Sequence, residues 1–227
     1  MTTKIIIFLA GLLLGPKAVM AIEEPEYELI AECEDYEVRR YAPYIVAETV
    51  VSADFDRAGA AAFRILAGYI FGNNRSIRPS VEIAAHSDTG VSEATGTSEK
   101  MAMTAPVFSA ALEAAPTENY LYAFVMPAGY TLENLPLPLD SRVSIREVPG
   151  RTVAVRRYSG RWHEKGFLSN AAILRKALER DGLTALGAPM FARYNAPYVP
   201  WFMRRNEVML EISPPLEQLQ AESSDTR

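Results

Sequence analysis

Val38-Arg39-Arg40-Tyr41 returns as Val155-Arg156-Arg157-Tyr158, and each copy is followed by a helical stretch, a Pro-marked extended stretch and a strand. Four residues alone carry little weight; the shared order of the elements after them points to an internal duplication. A duplicated unit that cannot cover its own apolar face packs against its twin, so the halves are expected to form one body. A seam between packed halves is a common place for a ligand groove, which directs attention to binding before any reactive residue is considered.

The chain has 227 residues, 49% apolar and 22% charged, enough for one substantial core. Lys4, the apolar run Ile5 to Leu14 and then Val19-Met20-Ala21 read as a signal peptide, residues 1–21, cleaved after Ala21 into a periplasmic or secreted protein. The other reading is an uncleaved anchor, although the run is shorter than the ~20 residues that span a bilayer. Cleavage removes Lys4 and Lys17 from 23 basic residues, leaving 21 against 28 acidic ones and a net charge of −7. Nucleic acid is therefore not an expected partner, because binding it rests on neutralising phosphates. A membrane is expected to be met only through residues 1–21, if they are retained. Cys33 is the single cysteine, so no intrachain disulfide can form; it reads as a small buried or strand-face residue.

Tyr27 to Glu48 predicts two short strands around Glu32-Cys33-Glu34-Asp35. Asp54 then caps a helix over Phe55 to Phe71. One stripe of that helix is Phe55, Ala58, Ala62, Leu66, Tyr69 and Ile70, and a second flank carries Ala60, Phe63, Ala67 and Phe71. So wide an apolar surface means either burial on two sides or a flank that lines a groove, with Gly59 and Gly68 allowing close approach. Asn73 to Lys100 reads as a long surface loop, Lys100 to Phe108 as extended, and Tyr120 to Met126 as a strand covered on both faces.

The order then repeats. Val143 to Val148 and Thr152 to Tyr158 read as paired strands around a Pro149-Gly150 turn. A helix over His163 to Asp181 comes next, with Phe167, Ala171, Leu174 and Leu178 inward and Gly182 ending it. Pro189 to Pro200 is extended and Asn206 to Ile212 is the last strand. These readings give one domain over residues 22–213, with halves of about 26–130 and 140–213, and a disordered acidic tail over 214–227. The expected class is α+β: a distorted antiparallel eight-stranded β-barrel with two flanking helices, built from two similar βαβ-type halves.

Lys100-Met101-Ala102-Met103-Thr104-Ala105-Pro106-Val107, together with Tyr69-Ile70-Phe71-Gly72-Asn73-Asn74, Arg193-Tyr194-Asn195-Ala196-Pro197 and Trp201-Phe202-Met203-Arg204-Arg205-Asn206-Glu207-Val208, resembles the SOUL haem-binding family. The resemblance covers most of residues 26–213. It implies an effector-binding-domain-like barrel of two halves that holds haem or another tetrapyrrole in a shallow apolar groove beside the first helix. Where haem-binding relatives carry two basic residues on that helix, this chain has Ala60 and Gly68; Arg57 and Arg64, seven residues apart, either take that role or lie on a solvated face.

The binding residues expected on this basis are Arg57, Ala60, Phe63, Arg64, Ala67, Phe71, Met101, Met103 and Arg204. His86 and His163 are the only imidazoles, so contacts to a tetrapyrrole are expected to be mainly apolar stacking and charge, not a strong iron bond. Arg204-Arg205-Asn206-Glu207 reads either as an anion clamp at the groove mouth or as a structural Arg–Glu network. No paired-cysteine or His-Glu metal pattern, phosphate-cradling Gly motif or Gly-x-Ser-x-Gly elbow is present, so a non-enzymatic binder is expected. The alternatives are a binding module for another hydrophobic amphiphile, or a hydrolase using Glu207 or Glu48 as its groove carboxylate.

Overall fold

The computed structural model describes residues 22–77, 97–112 and 119–213; residues 1–21, His86 and the tail over 214–227 lie outside these. In chain order the elements are β1 (Tyr27–Glu32), β2 (Glu37–Tyr41), β3 (Tyr44–Ser52), α1 (Phe55–Ile70), β4 (Asn74–Arg75), β5 (Val107–Ala111), β6 (Asn119–Val125), β7 (Leu137–Pro138), β8 (Ser144–Val148), β9 (Arg151–Tyr158), α2 (Glu164–Arg180), β10 (Ala185–Arg193) and β11 (Asn206–Ile212). A 3-10 turn, Trp201–Met203, precedes β11. No helix among the described residues is long and apolar enough to cross a membrane.

Nine strands form one antiparallel sheet in the order β1-β2-β9-β11-β10-β5-β6-β3-β8, and β4 pairs with β7 apart from it. The expected α+β class and curled antiparallel sheet with two helices are present, but with nine strands where eight were expected, and β1 and β8 remain edges, so the sheet is a curled half-barrel. The strand read before Glu32 is β1, and the additional strand comes from the stretch after Asp35, read as one strand, which Ala42 and Pro43 break into β2 and β3.

The curl follows from the connections. Only Ala42 and Pro43 separate β2 from β3, yet six strand spacings lie between them in the sheet order. A flat sheet would set them roughly 29 Å apart, while a link of this length reaches about 11 Å. Pro149 and Gly150 make the matching crossing from β8 to β9, so the strands read as a hairpin there are not paired. The two links touch: a Cβ on Gly150 would lie 3.2 Å from the Tyr41 carbonyl oxygen and 3.4 Å from Pro43 Cδ.

The order is a palindrome in which β2, β3, α1, β5 and β6 correspond to β8, β9, α2, β10 and β11. Each half lends its first strand to the other, since β2 pairs with β9 and β8 pairs with β3. The Val-Arg-Arg-Tyr echo is out of step with this symmetry. It matches β2 to β9, which are sheet neighbours with Val38 opposite Ala154, not topological equivalents.

Alternation assigns the faces. Tyr120, Tyr122 and Phe124 of β6, Phe191 of β10 and Val208, Leu210 and Ile212 of β11 join the cluster beneath the helices. Ala123, Val125, Ala192, Met209, Val153 and Val155 form a second cluster on the concave side. Helix α1 lies against β3 and β6, and α2 against β9, β10 and β11. The Arg57 N–H donates to Asp54 Oδ1 at 3.0 Å and the Gly166 N–H to His163 Nδ1 at 2.8 Å, so both helices begin at a side-chain cap. The predicted inner stripes of both are buried. Gly182 ends α2 at a φ of 71°, as expected.

On the concave side, Glu207 of β11 accepts from Arg39 of β2 at 3.0 and 3.2 Å, from Arg205 Nε at 2.9 Å and from the Tyr194 hydroxyl at 2.8 Å. The Arg39 and Glu207 side chains are only 2% and 0% exposed. Arg–Glu pairing in this segment is thus structural, and it ties the exchanged strand of one half to the last strand of the other. Glu207→Gln leaves Arg39 buried with too little countercharge, and is expected to lower unfolding free energy by about 3 kcal/mol or more. Glu48→Gln, whose partner Arg146 is half-exposed, is expected to cost about 1 kcal/mol or less. Urea unfolding of both variants checks the contrast.

Candidate binding seam between the helices

Neither helix makes its main contacts with β5, so a seam runs above β5 and the end of β10. Along it α1 presents Phe55, Gly59 and Phe63. The Phe55 ring lies 5.6 Å from Tyr120 and the Phe63 ring 5.5 Å from Phe124, which sets this flank down along β6. Phe55 also stacks on Phe167 of α2 at 6.2 Å, closing the seam where the two helices begin. Further along, the α1 flank opens: Phe63 is 41% and Phe71 54% exposed.

Of the expected binding residues, Ala60 and Phe63 lie exposed on α1 and Phe71 is exposed at its C-cap, while Ala67, 8% exposed, is covered. Arg57 and Arg64 stand on the solvent side, two turns apart. Arg57 pairs with Asp54 at 3.2 Å and Arg64 is exposed, about 100° around the helix from Phe63. The segment after residue 97 passes the end of α1, with the Met101 N–H donating to the Ile70 carbonyl. Alternation there turns Met101 inward, where it is buried, and leaves Met103 37% exposed. Met103 is thus available to a ligand and Met101 belongs to the core.

Arg204 is no free anion clamp. Its guanidinium donates to the carbonyls of Val199 and Pro197 at 2.8 and 2.7 Å and lies 4.1 Å from the Trp162 ring centroid. It pins the loop that carries exposed Tyr198, Trp201 and Phe202. Trp162 is itself fixed, its Nε1–H donating to Asn206 Oδ1 at 2.8 Å.

The residue that sequence reasoning missed is Arg193, at the end of β10. Its Cζ lies 4.9 to 5.7 Å from the ring centroids of Phe191, Phe55, Trp162 and Tyr122. Its Nε makes no hydrogen bond, and the Tyr122 hydroxyl lies beside both the guanidinium and Ser109 Oγ, close enough to interact with each. An unsatisfied buried donor of this kind costs about 1–3 kcal/mol. Burial pushes the Arg193 pKa down, opposed by Tyr122 and Tyr158. Gly59 was the available signal: a glycine inside a helix costs about 1 kcal/mol against alanine, and a Cβ there would meet Arg193 Nη1 at 2.8 Å.

Among the described residues, cavities also lie elsewhere, lined by no residue of α1 or α2. One, of about 280 Å³, opens on the concave side among Tyr44, Phe108, Met190 and Met209, with Arg146 and Arg151 at its wall. The two carboxylates considered for hydrolysis are both engaged, Glu207 as above and Glu48 by Arg146 at 2.9 Å. His163 commits Nδ1 to the start of α2.

The fold is an α+β domain, a curled antiparallel sheet carrying two helices. The chain belongs to the SOUL heme-binding protein family, whose sequence pattern it matches over residues 22–87 and 90–211. Among solved structures it is similar to the C-terminal domain of EcmrR, at 10% identity and a TM-score of 0.54, covering 83% of this chain and 99% of that one. It is also similar to an uncharacterized conserved protein from Listeria innocua, at 13% identity and a TM-score of 0.52, and to a hydrolase from the same organism, at 12% and 0.50. Each of these covers 81% of this chain and 94% of the other. At such identities the likeness is one of fold. No curated protein matches the chain significantly.

Burial raises the phenols of Tyr36, Tyr41, Tyr69, Tyr120, Tyr122, Tyr158 and Tyr194 above their ordinary 10.0, those of Tyr41 and Tyr120 to about 12. Above pH 10 the unfolded chain loses these protons while the folded one keeps them. The stability they confer is whole below pH 10 and is lost as pH rises through the folded values. Urea midpoints are therefore expected to fall from pH 10 to about pH 12, with phenolate absorbance appearing together with unfolding.

Proposed function

We propose that this protein binds haem or a related tetrapyrrole in the furrow along the α1 flank, as a non-enzymatic carrier or buffer outside the cytoplasm. The observation that carries the reading is the open flank, with Phe63, Phe71 and Met103 exposed, in a member of a haem-binding family. Large apolar side chains left in water on one helix face suit a planar apolar partner. The apolar body of a tetrapyrrole fits this surface. Its acidic groups have Arg57 and Arg64 on the adjoining ridge and Arg193 within the seam. Bound haem would supply its iron, but the residues described here contribute stacking and charge. The extracytoplasmic setting is supported by Lys4, the run Ile5 to Leu14 and Ala21, and by a family match that begins at residue 22.

A second reading is favoured by the concave cavity, whose apolar wall and two guanidinium groups suit another anionic amphiphile.

Titrating the full-length protein with haemin tests the first reading. A saturable Soret change with quenching of tryptophan fluorescence is expected, and Phe63→Asp and Phe71→Asp are each expected to weaken binding roughly tenfold, about 1.4 kcal/mol. Absence of saturation, or affinities unchanged in both variants, would falsify it. Loss of binding in Arg151→Gln with both Phe variants unaffected would move the site to the concave cavity.

A further inference from the structure

Arg193 stands apart from the other arginines at its end of the sheet. Arg39 and Arg205 share Glu207, and Arg204 is bound to two carbonyls. No acidic side chain among the described residues comes within ion-pair distance of Arg193, and the acidic group that influences it is Asp56, at the start of α1. Its guanidinium is walled by four aromatic rings, while the residue as a whole is half-buried. Aromatic faces hold a cation in place but give its N–H groups nothing to donate to. The guanidinium fork matches a carboxylate in two parallel hydrogen bonds.

We infer that Arg193 is the receptor for a carboxylate carried on an aromatic or otherwise apolar body, which enters the seam between Gly59 of α1 and Trp162. This rests on the seam as the binding site and adds to that reading the charge of the ligand and the residue that meets it. Three features point the same way. Arg193 Nε is buried without a hydrogen-bond partner, and the polar side chains beside the guanidinium, Tyr122 and Ser109, are hydroxyls that bring no countercharge. Gly59 keeps open the space a methyl group would take from Arg193 Nη1, with the Tyr122 hydroxyl 3.4 Å from the same point. Trp162 is held by Asn206, with Arg193 5.5 Å and Arg204 4.1 Å from its ring centroid. A ligand ring placed beside Trp162 can therefore stack while its carboxylate reaches the fork. In a chain with more acidic than basic residues, an uncompensated cation in an apolar recess selects for anions that bring their own apolar surface.

The test uses nitrogen-15-labelled full-length protein and three probes: benzoate, benzyl alcohol and inorganic phosphate. Benzoate is expected to shift the Arg193 Nε–H and Trp162 indole resonances saturably, benzyl alcohol to leave Arg193 unmoved, and phosphate to act far more weakly than benzoate. Arg193→Gln is expected to abolish benzoate binding. Gly59→Ala, which keeps the arginine but displaces its tip, is expected to weaken binding about tenfold without lowering the melting temperature, since alanine favours the helix. An Arg193 resonance unmoved by benzoate, or moved equally by benzyl alcohol, overturns the inference, as does an unchanged benzoate affinity in Gly59→Ala. Benzoate binding without haemin binding upholds it and removes the tetrapyrrole reading. Haemin binding without any benzoate shift does the reverse.

Discussion

The buried contact between Arg39 and Glu207 fastens the exchange of strands on which the fold is built. A half whose first strand is paired in the other half's part of the sheet cannot finish its own sheet, so the two have to fold together. The exchange is cheap in chain length, two residues at each crossing, because the sheet curls and brings its ends near each other. Burying an ion pair gives little net stability, and an apolar pair of equal volume often does as well. What an apolar pair lacks is register. Both oxygens of Glu207 are occupied, by Arg39, Arg205 and Tyr194, and a slip of β2 by one residue would turn Arg39 into the helix-side core.

The same strand sets the seam. Asn206 and Glu207 are adjacent on β11 and point to opposite faces, so the concave lock and the support for Trp162 come from neighbouring residues. Asn206 accepts from the Trp162 indole and donates to the Gly160 carbonyl, holding the wall that faces Arg193. Arg204, one residue before Arg205, pins the aromatic loop beyond it. A four-residue segment that reads in sequence as a charge cluster is therefore the point where the two halves and the seam wall are held in one geometry.

Local signals in the sequence were legible because their causes are local. Asp54, His163 and Gly182 mark helix ends through their own caps and backbone, and the stripe from Phe55 to Ile70 follows from helical spacing alone. Strand pairing depends on distant residues, which is why the Val-Arg-Arg-Tyr echo suggested a correspondence that the sheet does not keep and why β8 and β9 read as a hairpin. The site shows the same division. Phe63 and Phe71 could be placed on one helix flank from spacing, which did not decide whether that flank is covered or open. Ala67 and Met101 could not be placed, because what covers them is another segment. Arg193 reads as an ordinary arginine at a strand end, and its lack of an acidic partner exists only in three dimensions.

That division bears on how the seam can discriminate. Its apolar walls give affinity to any ligand with enough hydrophobic surface, and an exposed Phe is worth at most about 1.5–3 kcal/mol when covered. Phe63 and Phe71 alone would therefore accept many amphiphiles about equally. An unpaired cation in the recess changes the ranking, because a neutral ligand leaves it unmatched while an anion of the right reach satisfies it. The walls need little rearrangement to do this: Trp162 is hydrogen-bonded, the loop before β11 is pinned by Arg204, and Phe55 is stacked on Phe167. Little conformational freedom remains to be lost on binding, so selectivity falls to the charge of the ligand and the distance from that charge to its apolar body.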